Sequence, residues 1–119
     1  MKKVLQILAL ILPASACAAP VPVRIEIGDG VFVPAAEVGF RRNLRTLSTP
    51  PYTLEMQEPD IAAFTAFTEG RSGQRMRVIV CGEAVFSPDL RAPVSNGKID
   101  IHNAPEGGAL ETFITKGCP

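Results

Sequence analysis

The stretch "VCGEAVFSPDLRAPVSNGKIDI", residues 80–101, limits the fold more than any other part of the chain. It opens and closes as apolar, strand-like sequence, but Pro88 and Pro93 interrupt its middle. Proline has no N–H to give to a sheet ladder, so this segment belongs at a sheet edge, at a bulge or in a long crossing arm. Ser95-Asn96-Gly97-Lys98 is a turn signal, because Asn-Gly accepts the positive φ of a type I′ turn. The pattern predicts a proline-marked arm over residues 84–101 that projects as a hairpin. Its return strand, "KIDI", places Ile99 and Ile101 on one face.

The rest of the chain alternates strand and helix patterns. "VPVRIEI" (residues 21–27) alternates with Val23, Ile25 and Ile27 on one side, "GDG" turns, and "VFV" resumes extended structure. Pro34 suggests a short helical turn over residues 35–38, and residues 40–44 a strand ended by Pro50-Pro51. "YTLEM" is a further strand, with Tyr52, Leu54 and Met56 on one face. In "EPDIAAFTAFTEGR", proline occupies a first-turn position, Asp60 sits near the positive helix start, and Ile61, Phe64 and Phe67 or Thr68 follow helical spacing up to a stop at Gly70. "RMRVIVC" (residues 75–81) reads as a strand. At the end, Asn103 and Glu106 resemble a capping box, Ala109, Leu110, Phe113 and Ile114 form an apolar stripe, and Gly117 stops the helix. The class is therefore α+β: a small mixed or antiparallel sheet with two helices packed on one face.

The first residues, "MKKVLQILALILPASACAAP", carry two lysines, a short apolar run and Ala16-Cys17-Ala18 as an A-x-A cleavage signal. Residues 1–18 read as a secretory signal peptide and residues 19–119 as a single domain, placed in the periplasm or outside the cell. The apolar run is shorter than the roughly 20 residues of a spanning helix. A lipoprotein anchored through Cys17 is the minor alternative, since Ala14 stands where its signal wants a large aliphatic residue. Cleavage leaves Cys81 and Cys118, which in an oxidising compartment are expected to pair and close a loop of 37 residues. Two buried free thiols are the alternative.

No chemical constellation emerges, and neither a catalytic group nor a cofactor is expected. His102 is the only histidine, so a metal site with cysteine has no recognisable spacing, and the imidazole reads as a strand-end residue. Ser87 and Ser95 lack the setting of a nucleophile elbow, and "GDG" has too few acids for a calcium loop. With 12 basic against 12 acidic residues, nothing favours nucleic acid. Arg41, Arg42, Arg45, Arg71, Arg75 and Arg77 read as a solvated sheet face rather than a basic site. The arm remains as a structural element or as an edge that accepts an extended peptide by strand addition, through Phe86, Pro88, Leu90, Arg91, Pro93 and Asn96.

Phe64, Thr68, Gly73, the run from Met76 to Val80, Gly82, Pro88, Leu90, Pro93, Gly97 and Ile101 form an ungapped series. In that series the chain resembles the head subdomain of the large periplasmic domain of SecD-type protein-export subunits, with Ala109 matching an alanine of the closing helix. Residues 33–56 fit the pattern loosely. Cys81 stands where the family has an acidic residue, and Ala92 where it often has glutamate. The export subunit's membrane helices are absent, so proton-coupled translocation is not implied. The resemblance implies a free-standing, non-enzymatic module that contacts a protein or unfolded polypeptide. A small disulfide-stapled secreted inhibitor or structural accessory protein is the alternative. Intact-mass measurement of the exported protein is expected to show a chain starting at Ala19 without lipid; a diacylglyceryl adduct on Cys17 would replace that processing route.

Overall fold

The computed structural model describes residues 21–43, 51–102 and 108–119. The leader, Cys17, Arg45 and the Asn103–Glu106 capping box lie outside the described residues. The α+β class holds, and every strand pair is antiparallel. The strands are divided between two sheets. In the first, β1 (Val23–Ile27) pairs with β2 (Gly30–Phe32) on one side. On the other side it pairs with β5 (Met76–Val80), which carries β6 (Glu83–Phe86) at its far edge. In the second, β3 (Gly39–Arg42), β4 (Tyr52–Glu55) and β7 (Lys98–Ile101) lie side by side. Residues 35–38 form no helical turn.

Two-residue period puts the aliphatic positions of both sheets into one core. Ile25, Ile27, Val78 and Val80 from the first sheet join Leu54, Ile99 and Ile101 from the second in a single cluster. Arg24, Glu26 and Arg77 face the other way and pair with one another, Glu26 accepting from both guanidinium groups at 3.1 and 2.8 Å. Helix α1 (Asp60–Thr68) contributes Phe64 and Thr68, both fully buried, at the helical spacing read from the sequence. Phe32 of β2 packs on Phe64 and Phe67, with ring centroids 5.0 and 5.6 Å apart. Helix α2 (Ala109–Lys116) buries Leu110 and Phe113 but leaves Ala109 exposed. The Tyr52 hydroxyl and Arg42 both donate to Glu111, fixing α2 to the second sheet.

Asp60 does more than complement the start of a helix. Its side chain is buried, and its two carboxylate oxygens accept the backbone N–H groups of Ala35 at 2.9 Å and Ala36 at 2.8 Å. A buried carboxylate needs such donors to offset its lost hydration. The loop leaving β2 is thereby held against the first turn of α1.

The arm does not project. No hairpin forms between it and "KIDI", because β7 pairs with β4 and not with β6. Residues 87–97 instead run as a strap from the edge of the first sheet to the edge of the second. Pro88 supplies a carbonyl where it cannot supply a donor, accepting the Met76 N–H at 2.8 Å. Leu90 exchanges backbone bonds with the loop before β5, donating to Gln74 at 2.8 Å and accepting from Gly73 at 2.6 Å. The Thr68 hydroxyl accepts from Val94 N–H, and Gly97 carbonyl accepts from Met56 N–H. Gly97 has φ +68°, and a Cβ there would lie 2.7 Å from Ile61 Cγ1, so the turn needs glycine for its conformation and for space. Leu90 itself is only 4% exposed, so the strap adds to the core, contrary to its reading as a free edge. Leu90→Ala is expected to cost about 2–5 kcal/mol in a denaturant melt, whereas the exposed neighbour change Arg91→Ala should stay within about 0.5 kcal/mol. Equal, small effects would mean that the strap is not seated.

Candidate functional site

The six arm residues named from the sequence separate into three groups. Leu90 is in the core. Arg91, Pro93 and Asn96 are exposed along the outside of the strap, where Asn96 Oδ1 accepts the Lys98 N–H at 3.0 Å and shapes the turn into β7. Phe86 and Pro88 line an open cleft of about 380 Å³, together with Val85, Ser87 and His102. The cleft thus gathers three apolar side chains, a hydroxyl and an imidazole. The two sheets meet there: Phe86 ends β6, and His102 follows the last residue of β7. Their rings lie 6.3 Å apart at 47°.

The local chain explains the shape of the cleft. Along β6, Ile79 faces Ala84 and Val78 faces Phe86, so Val85 is an extra residue in a β-bulge. A bulge leaves its extra residue out of the ladder and bends the strand. Pro88 follows, and an antiparallel bridge between Arg75 and Asp89, with an ion pair at 2.9 Å, carries the chain on alongside the start of β5 in the register of the Val78–Phe86 pair. The result is an apolar floor with a hydroxyl and an imidazole at its rim. His102 was read from the sequence as a strand-end residue only. Its partner Phe86 is 16 positions away, on a strand of the other sheet, and no local pattern signals that meeting.

The arginines form no common basic face among the described residues. Arg41 pairs with Glu55, Arg42 with Glu111, Arg75 with Asp89 and Arg77 with Glu26. Arg71 donates to the Phe67 carbonyl at 2.7 Å and lies over the Phe67 ring. Among the described residues no three of histidine, cysteine, aspartate and glutamate gather as metal ligands, and no helix is long and apolar enough to cross a membrane.

Cys81 and Cys118 are bonded, with Cα atoms 5.4 Å apart. The pairing joins the β5–β6 turn to the residue after α2's glycine stop. That turn is a two-residue loop, since Val80 pairs with Glu83. Both its residues have positive φ, +53° at Cys81 and +79° at Gly82, the pattern of a type I′ turn. Asn or Asp usually fills the first of these positions, whereas cysteine pays a steric penalty in the left-handed region. The Cys81 N–H also donates to the Pro22 carbonyl at 3.1 Å, so the turn touches the start of β1.

No protein-family model matches the chain, and no match is found among curated proteins or solved structures.

Removing the bond is expected to cost about 2–5 kcal/mol, as for other small disulfide-containing domains. Within that loss the turn makes a separate contribution. The pair Cys81→Asn with Cys118→Ser should be more stable than Cys81→Ser with Cys118→Ser by about 0.5–1 kcal/mol, because asparagine tolerates the left-handed region better. Thermal melts of the two double variants check this, and an inverted order would show that the turn carries no conformational demand.

Proposed function

We propose that the protein is a non-enzymatic binding module of the periplasm or cell exterior, similar to the export head subdomain, that holds a segment of another polypeptide. One observation carries the reading: the cleft of Val85, Phe86, Ser87, Pro88 and His102 sits where the edges of two sheets converge. An aromatic and an aliphatic floor suit an apolar side chain. The bulge at Val85 breaks the ladder at this edge, so the cleft takes a side chain of the ligand rather than its main chain as an added strand. The positions that prompted the resemblance also have physical work in this fold: Phe64 and Thr68 in the core, Gly82 and Gly97 in turns of positive φ, Pro88 and Leu90 on the strap. The arm's exposed edge is narrower as a binding surface than the sequence suggests, since Leu90 is spent on the core.

The test is a photo-crosslinking amino acid in place of Ser87, with the protein exported in its native host. Attachment of unfolded exported chains or of translocase components is the expected result. Phe86→Ala and His102→Ala should each reduce that attachment roughly tenfold, on the order of 1.4 kcal/mol of contact energy. The exposed His102 change should leave the melting temperature nearly unchanged, whereas Phe86 also packs against the core and its loss should lower it. Attachment to one folded enzyme would instead assign the chain to the small secreted inhibitors. Crosslinking indifferent to both substitutions would remove the cleft from the binding surface.

A further inference from the structure

The two sheets have four edges, and three of them are closed to further strands. β6 has Glu83, the Val85 bulge and the nearby Pro88. β3 carries Arg41 and Arg42, and β7 carries Lys98 and Asp100. Charges, bulges and prolines at these places are the usual means of keeping an edge from pairing with another chain. β2 itself carries neither a charge nor a bulge, and Pro34, two residues beyond it, has the parity that faces β1. No residue from Gly30 to Ala36 is charged, and Val31 and Val33 are 55% and 66% exposed, the large apolar side chains most open to water among the described residues.

The pairing of β2 with β1 fixes which of its backbone groups are free. The connecting loop has two residues, because Ile27 pairs with Gly30, and its positive φ is confined to Gly28, the pattern of a type II′ turn. In such a hairpin the pair closing the loop exchanges hydrogen bonds and the next pair does not. Gly30 and Phe32 therefore bond to β1, while Val31, opposite Glu26, turns its N–H and C=O to the open side. Val33 has the same parity as Val31. Pro34 has the parity of Phe32, so its missing N–H takes nothing from the open side. The edge is also held in place from behind, by the Asp60 carboxylate on Ala35 and Ala36 and by the Phe32 ring on Phe64 and Phe67.

We propose that this edge pairs antiparallel with the same edge of a second copy of the chain, joining the two larger sheets into one. A two-fold axis at Phe32 sets Val31 opposite Val33 of the other copy, and both members of that pair have outward N–H and C=O groups. They exchange both bonds of a hydrogen-bonded antiparallel pair, and symmetry repeats the exchange on the other side of the axis. The valines then pack on one another across the outer face, and the partly exposed Phe32 rings meet on the inner one. The register places Asp29 against Ala35 of the second copy, so no like charges are opposed. An uncharged, self-complementary edge favours a copy of itself over a charged partner strand. The cleft at Phe86 lies at the opposite edge of the sheet and stays open in the pair, so this proposal stands apart from the proposed function.

The test is a concentration series of the purified protein, followed by sedimentation velocity and by amide exchange in NMR. Expected is a monomer–dimer equilibrium in which exchange at Val31 and Val33 slows with concentration, while Phe32, already bonded to β1, is unchanged. Val31→Lys with Val33→Lys should weaken association at least tenfold. Both side chains are mostly exposed, and should the double variant fail to fold, the exchange pattern of the unaltered protein decides alone. A monomer at every concentration overturns the proposal. So does a dimer that leaves these two amides unprotected, a dimer that survives the lysines, or an edge protected only on adding an unrelated extended peptide.

Discussion

The fold depends on the way the strap is sewn down. Two sheets of a small domain cannot each bury a face alone, so they must share a core, and something must hold them together while they do. Residues 87–97 do this with their backbone groups: Leu90 to the backbone of Gly73 and Gln74, Pro88 to that of Met76, Gly97 to that of Met56, and Val94 N–H to the Thr68 hydroxyl. These link the strap to the end of α1, to the loop before β5 and to the exit of β4. Leu90 then fills space among the residues of both sheets. Because buried backbone groups must find partners, the prolines are not incidental. Pro88 gives its carbonyl to Met76 and can give no N–H in return, which limits the ladder there to one bond.

Much of this was legible in local patterns. Alternation located β1, β4, β5 and β7, and the spacing of Phe64 and Thr68 located the buried face of α1. Those features depend on neighbours a few residues away, which a sequence displays directly. The arm was misread because Asn96-Gly97 is as good a signal for any turn of positive φ as for a hairpin. What separates the two is whether the following strand finds β4 or β6, and that is a long-range choice. The meeting of Phe86 and His102 was illegible for the same reason. The β5–β6 turn lies one residue earlier than the break at Gly82-Glu83 that the sequence suggests, since cysteine stands where asparagine or aspartate usually opens such a turn.

Asp60 shows how one residue can serve two levels of structure. From the sequence it was a favourable charge at a helix start, a modest effect. In the fold the same carboxylate is the anchor of the loop after β2, through Ala35 and Ala36. Loops are normally where a chain yields, and this one is fixed to a helix. The edge strand ahead of it thus has both ends set, one by a tight two-residue turn and the other by a buried acid. Rigid presentation of an otherwise short strand lowers the entropy lost on any contact it makes.

The Cys81–Cys118 bond has a mechanical consequence. A pull on the backbone beyond Cys118 passes through the sulfur atoms to Cys81 and from there toward the N-terminal side. Everything between, β6, the strap, β7 and α2, lies inside the covalent loop and carries no tension. Force reaches only the elements up to β5, and it enters at the tip of the β5–β6 hairpin, beside the start of β1. Opposed traction there would part β1 from β5 first where Val23 meets Val80 and unzip their ladder one bond at a time, while the enclosed half of the molecule felt no strain. The Cys81–Cys118 bond thus divides the domain into a part that bears load and a part sheltered from it.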